Sequence, residues 1–181
     1  MTLDEIFGEL ATHFIEGVML HSQMANYYGF LGLDGYVRCH EYHYIAESKS
    51  YRKLNEYYLK HHNRLIQDVR AEDPKVIPDN WIKYTRQDVD IDTKKNAIKT
   101  AMSKWVSWET DTKELLEKMY GELVDMNEIA TALFIGEFVK DVDNELEWAE
   151  QESLDLLSVN YDMTYIVERQ KILHDNFKSM L

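Results

Sequence analysis

The chain has 181 residues, a length typical of one domain with a substantial hydrophobic core. It carries 33 acidic and 20 basic residues, for a net charge of −13, so a nucleic-acid partner, which needs a basic face, is not expected. A single cysteine excludes an internal disulfide and a cysteine-based zinc site. No signal peptide and no long apolar run is visible, so we expect a cytoplasmic protein with no membrane span.

The first predicted helix covers residues 3–30. Its apolar residues recur every three to four positions, and His21 is the polar residue on that stripe. Glycines at 29, 32 and 35 then predict a short turn, with Asp34 as the N-cap of the next helix. Because the turn is short, we expect the second helix to run antiparallel to the first.

The second predicted helix covers residues 35–70 and carries the most unusual stripe in the chain. One face collects Tyr36, His40, His43, Glu47, Ser50, Leu54, Tyr58, His61 and Leu65. The opposite face is charged, so this stripe should be the buried one. Burying a carboxylate is costly unless it is paired or binds a metal, so the stripe predicts polar partners on other helices.

Residues 71–91 contain both prolines and interrupt the helical periodicity, with a short helical turn predicted near 79–84. The preceding helix would be about 45 Å long at 1.5 Å per residue. Roughly twenty extended residues at ~3.3 Å each can run back along that whole length. The sequence therefore predicts a crossover, with the third helix parallel to the second.

A third helix is predicted over residues 92–124, a fourth over 127–157 and a fifth over 161–180, with Asp162 as its cap. Glu109 interrupts the apolar stripe of the third helix, and Asp141 and Glu145 interrupt that of the fourth. In two antiparallel hairpins, residues equally far from the turn share a height. Six inward polar residues then meet in the middle of the bundle: His21, His43, Glu47, Glu109, Asp141 and Glu145.

Oxygen and imidazole ligands of this kind suit iron or manganese, and zinc is a further candidate. A buried polar network without a metal is the alternative that the residues leave open. A single histidine on an inner stripe, such as His40, is ordinarily a hydrogen-bonded core residue, and His61 and His62 are expected at the surface.

Three features of the chain resemble the ferritin-like superfamily of ferritins, bacterioferritins and Dps-type miniferritins. Gly35 precedes Glu47 by twelve residues, as a glycine precedes the E-x-x-H glutamate in ferritins. Glu109 and Glu145 are 36 residues apart, as are the corresponding glutamates of bacterial ferritins. The segment QMANYYGFLGLDG is similar to the end of the first ferritin helix. The resemblance extends from residue 3 to about 157.

The resemblance implies one all-α domain over residues 1–181. Its fold would be a ferritin-like up-down-down-up four-helix bundle, with a long crossover and a C-terminal fifth helix. The usual di-iron site, however, is incomplete. The E-x-x-H motif reads ESKS, so Ser50 replaces a histidine ligand, and two other ligand positions fall on Phe14 and Val142. His43 and Asp141 are the residues that can substitute in part.

The function implied is a cytoplasmic metal-binding protein that oxidises or stores iron, as a di-iron or mono-iron centre, in a homo-oligomer that is a dimer or a closed shell. Glu47, Glu109 and Glu145 would be its carboxylate ligands. Asp141, His43 and His21 would be auxiliary ligands or hold the ligands in place. Two alternatives stay open: a di-metal oxidase or peroxidase, and an assembly or interaction module that has lost its site.

Overall fold

The computed structural model describes residues 1–78, 81 and 84–178 of the chain. The described part consists of five α-helices and one 3-10 turn, Arg86–Asp88, and it contains no strand. The helices are α1 (Leu3–Leu31), α2 (Asp34–His62), α3 (Ile91–Asp125), α4 (Ile129–Ser158) and α5 (Met163–Lys178). In this part of the chain no helix combines the length and apolarity that a membrane span requires.

Helices α1 and α2 form a hairpin through a tight turn at Gly32. Gly32 has a φ of 77°, and its N–H donates to the carbonyl of Gly29 while the Leu33 N–H donates to Tyr28. This left-handed glycine ending closes α1. The predicted N-cap at Asp34 is wrong, because the cap position is Leu33 and Asp34 is already the first helical residue. The Asp34 carboxylate instead lies in the first turn of α2, where the helix dipole favours a negative charge.

Helix α2 ends eight residues earlier than the predicted end at residue 70. Asn63 adopts a left-handed conformation with a φ of 51°, and its N–H donates to the carbonyl of Leu59. The following residues find partners on α1 instead of continuing the helix: Arg64 bonds Asp4 at 2.7 Å, and the Arg70 N–H donates to Thr12 at 3.1 Å. Tertiary contacts of this polar segment therefore outweigh its helical propensity.

Between residues 63 and 90, the described part of the crossover contacts α1 from one end of that helix to the other. The Glu72 N–H donates to the Glu16 carboxylate at 2.8 Å, and the Val76 N–H donates to Gln23 at 2.9 Å. Farther along, Arg86 donates to the carbonyl of Phe30 at 3.1 Å. Of the helical turn predicted near residues 79–84, residues 79, 80, 82 and 83 lie outside the described residues.

Contacts between the hairpins establish the predicted up-down-down-up order. Helices α2 and α4 are antiparallel, since Tyr36 near the start of α2 bonds Glu152 near the end of α4, and Lys53 pairs with Glu137 at 2.7 Å. Helix α3 is antiparallel to α4 within the second hairpin and therefore parallel to α2. The all-α bundle with a long crossover and a fifth helix is confirmed.

Two hydrophobic cores fill the bundle. The upper core surrounds Met24, Cys39, Met102, Ala149 and Ile166, and it includes buried residues of all five helices. The lower core surrounds Phe7, Leu54, Leu116 and Ile135 at the opposite end. Between them lies a layer of buried polar side chains, which we name the polar layer: His21, His40, His43, Glu47 and Glu109.

Helix α5 packs against the start of α2 and the end of α4 through a buried ion pair. Arg169 donates from Nε and Nη2 to one oxygen of Glu152, at 2.9 and 2.7 Å, and Tyr36 donates to the other oxygen at 2.7 Å. The Gly35 N–H donates to the side chain of Gln170 at 3.0 Å. Asp162 caps α5 as predicted, accepting hydrogen bonds from the N–H groups of residues 164 and 165.

Candidate metal centre

Three helices each contribute one buried donor side chain to a single point in the polar layer. These are His21 from α1, His43 from α2 and Glu109 from α3, and one potential ligand atom of each lies within 4.8 Å of the others. His21 Nε2 is 3.6 Å from Glu109 Oε1. All three side chains are almost completely shielded from solvent. We name these residues the His/Glu cluster.

Most donor atoms of the cluster lack a hydrogen-bond partner among the described residues. The atoms without a hydrogen bond are His21 Nε2, His43 Nδ1, His43 Nε2 and Glu109 Oε2. Of these, His21 Nε2 and His43 Nδ1 each lie 3.6 Å from a carboxylate oxygen, within ion-pair range but beyond hydrogen-bond distance. Buried polar atoms are nearly always bonded, because desolvation without a partner costs free energy. A cation bound among these atoms would satisfy them, and imidazole with carboxylate is a donor set that iron, manganese and zinc accept. The residues therefore fit a transition-metal ion.

His40, predicted from the sequence only as a hydrogen-bonded core residue, holds the ring of His21 in place. The Nδ1 atoms of the two rings lie 3.0 Å apart, so one proton is shared between them. When that proton is on His21, its Nε2 carries a lone pair directed towards Glu109, which is the tautomer a metal ligand requires. The sequence contained one indication of this role, because His40 lies on the same helical stripe as His43.

Trp105 holds the carboxylate of Glu109, the third residue of the His/Glu cluster, in place. Its indole Nε1 donates to Glu109 Oε1 at 2.9 Å, one turn away on the same helix. This bond leaves the second carboxylate oxygen free to bind another group. The Trp105 ring also lies edge-on to His43 and to Trp148, with ring centres 5.4 and 5.1 Å away.

The remaining predicted ligands lie at different depths on one side of the cluster. Glu47 is 7% exposed, and a Cβ atom added to Gly17 would be only 2.6 Å from its Oε1, so the glycine makes room for this carboxylate. Glu145 is partly exposed, and its Oε2 lies 3.6 Å from His43 Nδ1. Asp141 is exposed, so the structure does not bring it into the buried cluster.

Burial raises the carboxyl pKa values of the polar layer. Desolvation, followed by the neighbouring Glu145 charge, raises the pKa of Glu109 to about 7, although His43 and the Trp105 hydrogen bond oppose the rise. Desolvation, with the charges of Glu109 and Glu145, raises the pKa of Glu47 well above its ordinary value. Without a cation, Glu109 takes up a proton near neutral pH, and the protonated form of Glu47 is also favoured.

The pKa values of the buried histidines are shifted in opposite directions: those of His21 and His40 are lowered, and that of His43 is raised. Desolvation and the neighbouring histidines hold the pKa values of His21 and His40 well below the ordinary value, so both rings stay neutral. Desolvation also disfavours a charge on His43, but the carboxylates of Glu145 and Glu109 outweigh it and raise the pKa of this imidazole. Neutral imidazoles and carboxylates are the protonation states that bind a metal.

The three positions that depart from the ferritin pattern supply no ligand to a second metal. The Phe14 ring packs against that of Phe138 with centres 5.2 Å apart, and Val142 is buried in the lower core. Ser50 is partly buried at the edge of the α2–α4 contact. The donor atoms are instead gathered towards the α1–α2 turn, because His21 lies two turns beyond Phe14 and His43 lies one turn before Glu47.

Sequence comparisons give no match, either to a family model or to a curated protein. The fold, in contrast, matches solved structures. An open-pore ferritin from the hyperthermophilic archaeon Archaeoglobus fulgidus has 15% identity and a TM-score of 0.76, with 93% of this chain and 92% of that chain covered. A closed form of the Archaeoglobus fulgidus ferritin, engineered by site-directed mutagenesis, has 15% identity and a TM-score of 0.77, with 96% of each chain covered. A humanized archaeal ferritin has 15% identity and a TM-score of 0.75, with 94% and 93% covered. The chain therefore has the fold of the ferritin-like superfamily.

Proposed function

We propose that the protein binds a divalent transition metal, with iron as the physiological ion, at His21, His43 and Glu109. The observation that carries the proposal is the convergence of these side chains from three helices, with buried donor atoms that lack hydrogen-bond partners. The ferritin fold supports iron as the ion, because the structural relatives are described as ferritins.

The proposed centre has one strong metal position. Two imidazoles and a carboxylate form a donor set known for non-haem iron, and zinc accepts the same three ligands. Glu145 and Glu47 lie beside it and form a weaker second position. A mono-iron centre is favoured over a di-iron centre, because Phe14, Ser50 and Val142 provide no further ligand. When bound, iron would supply redox chemistry with oxygen or peroxide.

Added metal should stabilise the wild-type protein. A ligand that binds only the folded state at one hundred times its Kd contributes about 2.7 kcal/mol. For a chain of this size that corresponds to a rise in Tm of about 5–10 °C. We expect the rise with Fe²⁺ under anaerobic conditions and with Mn²⁺, measured by thermal unfolding, together with metal in the purified protein by elemental analysis.

His43→Ala and Glu109→Gln should each reduce this rise to under about 2 °C, because each removes a proposed ligand. His61→Ala is the matched control, since His61 is an exposed histidine on the same helix as His43. A melting temperature that no metal changes would instead favour an assembly module that has lost its site. Turnover of Fe²⁺ compared with turnover of peroxide separates iron oxidation and storage from an oxidase or peroxidase.

We further propose a homo-oligomer, a dimer or a closed shell, located in the cytoplasm. Apolar side chains at the α3–α4 end of the bundle support an association surface: Tyr120, Val124, Ile129 and Leu133 are 37, 40, 49 and 63% exposed. Sedimentation at micromolar concentration should give a mass of at least two chains. A mass near that of one 21.5 kDa chain would contradict the proposal.

A further inference from the structure

A small cavity lies among the four bundle helices and reaches the polar layer at Glu47, and its wall includes Glu145, which contacts His43 of the His/Glu cluster. Its volume is about 30 Å³, and its lining includes Phe14, Glu47, Ser50, Thr112, Asp141 and Glu145. A single water needs roughly 10–15 Å³ by this measure, so the cavity has room for about two waters or for a partly hydrated ion.

The cavity connects the surface with the polar layer. Asp141 at its outer end is exposed, Ser50 and Glu145 are partly exposed, and Glu47 and Thr112 at its inner end are buried. Ser50 lies one turn after Glu47, and Asp141 lies one turn before Glu145. The two pairs therefore face each other across the α2–α4 contact, and the short Ser50 side chain leaves the space between them unfilled.

Three carboxylates follow this path at increasing depth. Asp141 is at the mouth and Glu145 is in the wall, where its Oε2 lies 3.6 Å from His43 Nδ1. Glu47 lies at the inner end.

Among the described residues that line the cavity none is basic. The nearby Lys53 lies over the ring of Phe138, which lines the cavity, but its Nζ is paired with Glu137 at 2.7 Å, so the lining itself stays acidic. A narrow acidic cleft with low-dielectric walls concentrates cations and speeds their association.

We propose that this cavity is the entrance through which a divalent cation reaches the His/Glu cluster. Asp141 captures the ion at the mouth, and Glu145 and Glu47 replace its water as it moves inward to His43. The inference rests on the proposed function, and it gives Asp141 a role in association and not in the buried ligand set. It also gives Ser50 a role, since a large side chain there would close the path.

The experiment follows Co²⁺ binding to the metal-free full chain by stopped flow, using visible absorption and the fluorescence of Trp105 and Trp148. Asp141→Asn should slow association about three- to tenfold at low salt and reduce its salt dependence. Ser50→Leu should slow association more than tenfold. Both changes act on the path, so dissociation should slow by a similar factor and Kd should change less than about twofold.

The matched controls are Glu147→Gln and Ser48→Leu, which make the same chemical changes on α4 and α2 outside the cavity. Both should bind Co²⁺ at the wild-type rate. If Ser50→Leu does not fold, the exposed Asp141→Asn still decides the question. Wild-type rates in the Asp141 and Ser50 variants would overturn the entrance alone. Failure of the wild-type protein to bind any Co²⁺ would overturn the proposed function, and the entrance with it.

Discussion

Metal-free protein carrying Glu109→Gln should be more stable than the wild type at pH 8, by about 3 kcal/mol. The difference should shrink as the pH falls from 7 and disappear below about pH 4.5. The cause is the pKa of Glu109, which burial and Glu145 raise to about 7 from an ordinary 4.5. A glutamine is uncharged at every pH and can still accept the Trp105 hydrogen bond, so the variant avoids the cost of a buried charge.

The sign of this stability difference follows from the numbers of protons that the folded and unfolded states bind. A carboxyl whose folded pKa is raised contributes stability that is fully present below its unfolded pKa and is lost as the pH rises through its folded pKa. Wild-type stability should therefore fall as the pH rises from about 4.5 through about 7, the ordinary and raised pKa values of Glu109, and the raised pKa values of Glu47 and His43 act in the same direction. His21 and His40 have lowered pKa values, so their contribution is present above pH 6.5 and is lost below it.

Urea unfolding at several pH values after chelation measures this profile. Glu114→Gln, which changes an exposed carboxylate on α3, is the control and should follow the wild-type curve. Added Mn²⁺ should reverse the pH dependence of the wild type, because metal binding requires deprotonated ligands and strengthens as pH rises. Equal stability of the wild type and Glu109→Gln at pH 8 would show that Glu109 does not carry a buried charge.

Gly35→Ala should displace α5 from the bundle. A Cβ atom at this position would lie 1.8 Å from the backbone carbonyl oxygen of Gln170, and backbone cannot yield as the end of a side chain can. Moving α5 away separates Arg169 from Glu152, and removing one partner of a buried ion pair costs about 3–5 kcal/mol. Since Arg169 is itself partly exposed, we expect a loss of about 3 kcal/mol and a Tm lower by ~6–12 °C.

Gly121→Ala is the matched control, because an added Cβ there meets nothing within 4 Å. It should stabilise α3 by up to about 1 kcal/mol, since alanine is the better helix former. Hydrogen exchange over residues 163–177 should show lost protection in Gly35→Ala only. Thermal unfolding of the two variants at the same temperature would rule out close packing of α5 on Gly35.

The bundle could be predicted from the sequence because its helices are long and strongly amphipathic. Glu109 was found by the same reasoning, as a lone carboxylate in an apolar stripe. The end of α2 was not found, because the left-handed Asn63 and the partners of residues 64–70 on α1 are set by the crossover. The order of apolar and polar residues within one segment contains no information about its contacts with a distant helix.

The site was only partly predictable for a related reason. A helical stripe is about 100° wide, so periodicity alone could not decide whether Asp141 or its neighbour Val142 faces the core. Val142 does, and Asp141 is left at the rim. The ion pair of Glu152 with Arg169 joins residues of two helices whose docking the sequence did not define. Gly17 also pointed to the buried Glu47, because a glycine inside a helix often has a packing reason, and here it leaves space for that carboxylate.

The division of the interior into an upper and a lower core affects how the bundle opens. Each core can cooperate internally, but the layer between them consists of imidazoles and carboxyls with few mutual bonds. An interior divided in this way has a natural boundary between two units of partial unfolding. An ion held by α1, α2 and α3 at that boundary would tie the units into one, so occupancy would change the size of the cooperative unit as well as its stability.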